Sequence, residues 1–291
     1  MKLCRFNDNR FGIVVGGEVA DLTDILSHLP EMRWPAPAGD HLIRHFPQMR
    51  KHIEQALPRA TRVALNSVSL LSPVANASKV VAAPVNYALH LAEARADAGV
   101  NFGVDIKTID HYGLFLKSST SVVGPAEGIR LPPLSRRIDH EVEVVAVIGK
   151  ECFHVPESEA LDYVFGYCIG LDMSVRGTED RSWRKSYDTF TVLGPYLVTA
   201  DEIADAGHLD LHLEVNGERR QSSNTNALIF GIPKLIAYAS AGYRLYPGDI
   251  IMTGTPEGVG PVVHGDTITS GVEGLGEMLV KVSNLEAPVR A

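Results

Sequence analysis

Residues 138–149 read Ile138-Asp139-His140-Glu141-Val142-Glu143-Val144-Val145-Ala146-Val147-Ile148-Gly149. The β-branched run predicts a buried strand. A strand repeats every two residues, so Glu141 and Glu143 share one face. Two carboxylates side by side on a buried face repel each other and resist leaving water. A fold that contains this strand must therefore bring positive charge to that face, as basic side chains or as a bound cation. Hard oxygen donors favour Mg2+, Mn2+ or Ca2+ over zinc.

The remaining chain supports a β-dominated architecture. Short apolar runs recur at 114–117, 164–175, 190–198, 209–215, 249–253 and 278–282, separated by turns rich in Gly, Pro or Asn. Upstream, 11–15 and 18–22 flank Gly16-Gly17, a hairpin signal. Apolar spacing over His41 to Leu57 predicts a helix that Pro47 breaks or restarts. Residues 1–72 read as a small N-terminal accessory domain and 73–291 as a larger catalytic domain. Within the second, Val80 to Ala83 is a strand, Tyr87 to Ala98 a helix, 99–113 a Gly-punctuated loop or lid, and Pro233 to Ala241 one further clear helix. The expected class is a mixed, β-rich α+β protein.

Bulk properties narrow the partners. The net charge of −8 argues against nucleic acid, which needs concentrated positive charge. A small anionic substrate remains compatible, because a local cation can reverse the field inside one pocket. No apolar stretch is long enough to span a membrane. Three cysteines without a CxxC pair fit a reducing compartment, and with no apolar leader at Met1 to Asp8 the expected location is the cytoplasm.

Three further constellations carry possible chemistry. Asp172 lies in the apolar run 166–175, where Asp is disfavoured. With Glu141 and Glu143 it makes a partial oxygen shell for a metal, or else a set of ion pairs to Arg136, Arg137 or Arg176. Spacing alone leaves both open. His90 and Glu93 are three apart, neighbours on one helix face. They form either a general-base dyad or an exposed ion pair. Residues 245–260 hold a Pro-Gly-Asp turn, a short strand and a Gly-rich loop suited to close approach of an anion, or simply to a tight turn. No GxxxxGK[ST] or GxSxG pattern is present.

Taken together, Asn86-Tyr87-Ala88-Leu89-His90-Leu91-Ala92-Glu93, Phe115-Leu116-Lys117, the Glu141/Glu143 strand, Asp172 with Arg176, and the PGDxIxTGTPxGVG segment at 247–260 resemble the fumarylacetoacetate hydrolase superfamily. The resemblance covers about residues 79–283. It implies a β-roll catalytic domain with few helices and a homodimer. It also implies that Glu141, Glu143 and Asp172 bind Mg2+ (or Mn2+ or Ca2+). His90 with Glu93 would activate water beneath a lid, and Lys185 would hold the substrate oxyanion. Arg176, Thr255 and Tyr87 would bind a small keto acid.

The implied activity is metal-dependent C–C hydrolysis of a β-diketo acid of the acylpyruvate or fumarylacetoacetate kind. The alternatives are a 2-keto acid decarboxylase, hydratase or isomerase of aromatic catabolism, or a non-catalytic keto-acid-binding member. Two positions depart from the family pattern. Glu179 stands where many members have Gln, and Leu89 precedes the dyad histidine where Asp is common.

Overall fold

The computed structural model describes residues 1–285. The last six residues of the expected second unit, 286–291, lie outside the described residues. A 12-stranded sheet dominates. Its central strands are Thr191–Thr199, Val164–Asp172 and Val142–Ile148, followed by Ile250–Met252, Val80–Ala82 and Phe115–Lys117. On the other side of Thr191–Thr199 the sheet continues through Lys2–Phe6, Arg10–Val15, Glu18–Asp21 and Arg62–Ala64. The N-terminal strands therefore share backbone hydrogen bonds with the central sheet, through Lys2 opposite Val198 and Leu3 opposite Leu197. A five-stranded and a three-stranded sheet complete the β-structure.

Strand Val142–Ile148 is buried at every position. Val142, Val144, Ala146 and Ile148 enter one apolar core, whereas Val145 and Val147 enter another on the opposite face. A strand covered on both faces reads as a continuous apolar run rather than an alternating one. The second core is closed by helix His41–Ala56, which buries Ile43, Phe46, Met49 and Ile53. That helix runs unbroken through Pro47. Burial of these four side chains offsets the roughly 3 kcal/mol cost of an interior proline. The Gly16-Gly17 hairpin forms as its dipeptide predicts, with both glycines at positive φ.

Four boundaries differ from the sequence expectation. Ile138–His140 is a strand of its own, in the three-stranded sheet, and Glu141 sits at the junction before Val142–Ile148. The helix expected over Tyr87 to Ala98 is Ala88–Ala96. The expected loop 99–113 instead contains helical turns at Ala98–Asn101 and Ile109–Tyr112. A further short helix, Arg181–Arg184, falls in a polar stretch with no apolar period to reveal it. No helix among the described residues is long and apolar enough to cross a membrane.

Candidate metal and keto-acid site

Antiparallel pairing of Val142–Ile148 with Val164–Asp172 sets Val142 opposite Leu171. One residue further out, the Asp172 N–H donates to Glu141 O at 2.9 Å. The register thus delivers Asp172 beside Glu141 and Glu143. One carboxylate oxygen from each lies within 4.8 Å of the others, and all three residues are buried.

Basic side chains converge on the same place. Lys185 Nζ donates to Glu141 Oε2 at 2.7 Å and Asp172 Oδ2 at 2.8 Å. Lys117 Nζ donates to Asp172 Oδ1 at 2.5 Å and Phe190 O at 2.8 Å. Arg176 Nη2 is 2.9 Å from Glu141 Oε1, close enough for ion pairing, yet poorly directed for a hydrogen bond and otherwise unpartnered. Arg176 is fixed from behind, where Nε donates to Asp139 Oδ2 at 2.7 Å. Of the arginines weighed as partners of the cluster, only Arg176 reaches it. Arg137 binds Asp139 and Asp97, and Arg136 binds Glu179.

Glu143 differs from the other two acids. Its Oε2 accepts the Gly254 N–H at 2.8 Å, and no basic side chain among the described residues pairs with it. Burial and the neighbouring Asp172 charge hold its carboxyl well above the usual range. Glu141 moves the opposite way: burial would raise it, but Lys185 and Arg176 outweigh burial and hold it far below. A buried oxygen cluster with one member left without a cation fits a hard divalent ion. Gly254 is required here, because its φ is +97° and a Cβ would lie 2.7 Å from Asn86 Cβ.

Asn86 anchors the second half of the site. It is fully buried, donates to Phe230 O and Thr253 O, and accepts the Phe230 N–H. These bonds lock the start of helix Ala88–Ala96 to the strand that leads into the Gly-rich loop. Val85, just before it, is held at φ 43°, a conformation that a β-branched residue adopts only under constraint. The helix presents His90, 4% exposed, with Nδ1 at 2.9 Å from Glu93 Oε2. His90 is therefore buried and its partner Glu93 half-buried, unlike a fully solvated ion pair.

His90, Glu141, Arg176, Arg184, Lys185 and Thr255 line one cavity of about 50 Å3. That is far below the roughly 300 Å3 of a small-molecule pocket, so room for a substrate requires movement of a basic side chain or of the covering segment 94–112, whose Ala94, Val100 and Ile106 line the cavity. A larger cavity of about 440 Å3 lies between the N-terminal strands and helix His41–Ala56. It lacks the acidic cluster, and the chemistry assigns the smaller cavity.

Tyr87 does not line this cavity. Its side chain is buried, with its hydroxyl unpartnered. Glu179 lies outside it too, in a two-pronged ion pair with Arg136 that holds its carboxyl at about 2. Lys117, Asp139, Gln221 and Arg184 also lie in or behind the site, and local sequence pattern does not mark them as a group. Only Lys117 carried a signal, as part of Phe115-Leu116-Lys117.

Residues 79–283 match the family described as fumarylacetoacetate (FAA) hydrolase C-terminal. The chain is 50% identical to maleylpyruvate hydrolase of Aquipseudomonas alcaligenes, covering 98% of this chain and 100% of that protein. It is 37% identical to a mitochondrial oxaloacetate tautomerase of Rattus norvegicus, covering 92% of this chain and 85% of that one. A crystal structure of maleylpyruvate hydrolase from Sphingobium sp. SYK-6, in complex with manganese (II) ion and pyruvate, superposes with a TM-score of 0.84 at 42% identity, covering 98% and 100% of the two chains. The match extends over most of the chain, and the chain belongs to the fumarylacetoacetate hydrolase family.

Proposed function

We propose that this protein is a divalent-metal-dependent hydrolase of acylpyruvates, with maleylpyruvate as the expected substrate. One observation carries the reading: Glu141 of the three-carboxylate cluster and His90 of the His-Glu pair line one cavity walled by basic side chains. The names of the relatives at 50% and 42% identity support the substrate class.

Glu141, Glu143 and Asp172 would hold Mg2+, Mn2+ or Ca2+. When bound, such an ion supplies Lewis-acid polarisation at the 2-keto acid end of the substrate. The chain's own groups do the rest. Glu93 accepts the Nδ1 proton of His90, which leaves Nε2 as the basic nitrogen able to take a proton from water. The water oxygen adds to the acyl carbonyl, the bond to the pyruvate methylene breaks with its electron pair leaving as the enolate, and the proton taken up by His90 passes to that methylene carbon. Lys185 and Arg176 offset the developing negative charge, and Thr255 contacts the substrate carboxylate. The products are pyruvate and the acid derived from the acyl group.

The test is turnover of acetyl-, fumaryl- and maleylpyruvate and of oxaloacetate, with Mg2+ or Mn2+ and with EDTA. EDTA-sensitive release of pyruvate plus a second acid is expected. Enol–keto exchange or CO2 release from oxaloacetate alone would move the assignment to a tautomerase or decarboxylase. The rat relative favours that second reading, which keeps the same site residues. A homodimer is also proposed, and a monomer at micromolar concentration in sedimentation would refute it.

A further inference from the structure

Among the described residues, Arg184 is the one basic residue of the cavity wall with neither a carboxylate nor an aromatic partner. Arg176 lies between Asp139 and Glu141, and Lys185 between Glu141 and Asp172. Arg181 rests its guanidinium 4.0 Å from the centre of the Tyr112 ring. Arg184 makes no ion pair among the described residues. Its Nη1 reaches Val175 O only at 3.4 Å, and its Nε is buried with no hydrogen-bond partner. Burial and the nearby Arg176 charge push its guanidinium down to about 10. A half-buried guanidinium with idle donors is costly to keep, and its planar fork matches a carboxylate.

The 2-keto acid end of an acylpyruvate accounts for the carboxylate cluster's cation, Lys185, Arg176 and Thr255. Arg184 is surplus to that set. We propose that Arg184 binds a second carboxylate at the far end of the acyl group, so that the site selects dicarboxylic acylpyruvates over acyl groups ending in a methyl. The proposal rests on the acylpyruvate reading for the placement of the first carboxylate.

Two measurements on the metal-loaded enzyme test it. The first is kcat/KM of the wild type, R184Q and R184K on maleylpyruvate and on acetylpyruvate. Loss of a buried charge pair predicts a fall of about 100-fold in the maleyl-to-acetyl ratio for R184Q, carried mainly by KM for maleylpyruvate, with R184K intermediate. An unchanged ratio overturns the proposal. So does an equal loss on both substrates, which would mean that Arg184 only positions Lys185.

The second is calorimetric binding of maleate and of isocrotonate, which has a methyl in place of one carboxylate. R184Q should weaken maleate far more than isocrotonate, and identical weakening overturns the proposal. This arm needs no turnover. If the wild type hydrolyses neither acylpyruvate, the proposed function falls while the maleate comparison still decides the role of Arg184.

Discussion

Glu93 Oε1 accepts the Gly258 N–H at 2.9 Å, so one carboxylate joins helix Ala88–Ala96 to the Gly-rich loop 165 positions along the chain. The other oxygen, Oε2, holds His90 Nδ1. Burial works against charge on Glu93, but His90 and the N–H groups of Gly258 and Val259 more than offset it and hold its carboxyl below the usual range. Orientation of the imidazole and closure of the loop thus depend on the same ionised group.

Glu93→Gln isolates the charge from the shape. The amide can still accept from Gly258, but it no longer stabilises an imidazolium. We expect kcat to fall about 100-fold with KM nearly unchanged, the lower end of a general-base contribution. His90→Asn should cost at least as much. Steady-state kinetics on maleylpyruvate check this, and full kcat in either variant would remove the dyad from the chemistry.

Glu143 gives a pH-dependent prediction. Its folded carboxyl titrates well above 4.5, its ordinary value, because of burial and Asp172. A raised folded value contributes stability below 4.5 that is lost as pH rises through the folded value. Metal-free protein should therefore lose thermal stability as pH rises from 4.5 through the folded value, and Mg2+ or Mn2+ should restore it. Cation binding should also release a proton, seen as a buffer-dependent calorimetric enthalpy. Glu143→Gln should flatten the pH dependence and abolish the response to metal. A metal-induced melting shift that survives in Glu143→Gln would exclude Glu143 as a ligand.

The parts of this site that could be seen in the sequence are those carried by local pattern. Glu141 and Glu143 announce themselves as charges in an apolar run, Asp172 as an acid in a strand, and His90 with Glu93 as a helical neighbour pair. Asp139 reads as one more polar residue at the start of the apolar run, and its two arginine partners follow only from the fold. Gln221 lies on the strand Glu218–Asn224, whose other residues are exposed or half-buried, yet is itself fully buried. Its partners are 34 to 81 positions away, beyond any local period. Pro47 misleads for the reverse reason: its local penalty is overridden by packing that only the folded sheet provides.

Gln221 should position Thr255. Its Nε2 donates to Thr255 Oγ1 at 2.8 Å and Pro256 O at 2.9 Å, while Oε1 accepts the Val142 N–H at 3.0 Å. Gln221→Leu keeps the bulk and leaves these buried groups unpaired, at about 1–3 kcal/mol each where water cannot reach them. A lower melting temperature together with a KM raised about tenfold and a smaller change in kcat is the expected pattern. Loss of stability with unchanged KM would make Gln221 a purely structural residue.

Arg137 links the covering segment to Arg176. Its Nη1 donates to Asp97 Oδ2 at 2.9 Å and its Nε to Asp139 Oδ1 at 2.7 Å, while Asp139 Oδ2 holds Arg176. Asp97 ends helix Ala88–Ala96 and caps the next turn by accepting the Gly99 N–H. Arg176 and the turn that follows helix Ala88–Ala96 are therefore joined through two side chains, Arg137 and Asp139. Arg137→Ala cuts the tie to Asp97 but leaves the Asp139–Arg176 pair. We expect faster amide exchange across 94–112, a KM raised about tenfold, and kcat reduced less, since the reacting groups stay in place. Were exchange in that segment unaltered while KM rose, Arg137 would act on Arg176 alone and the covering segment would close independently of it.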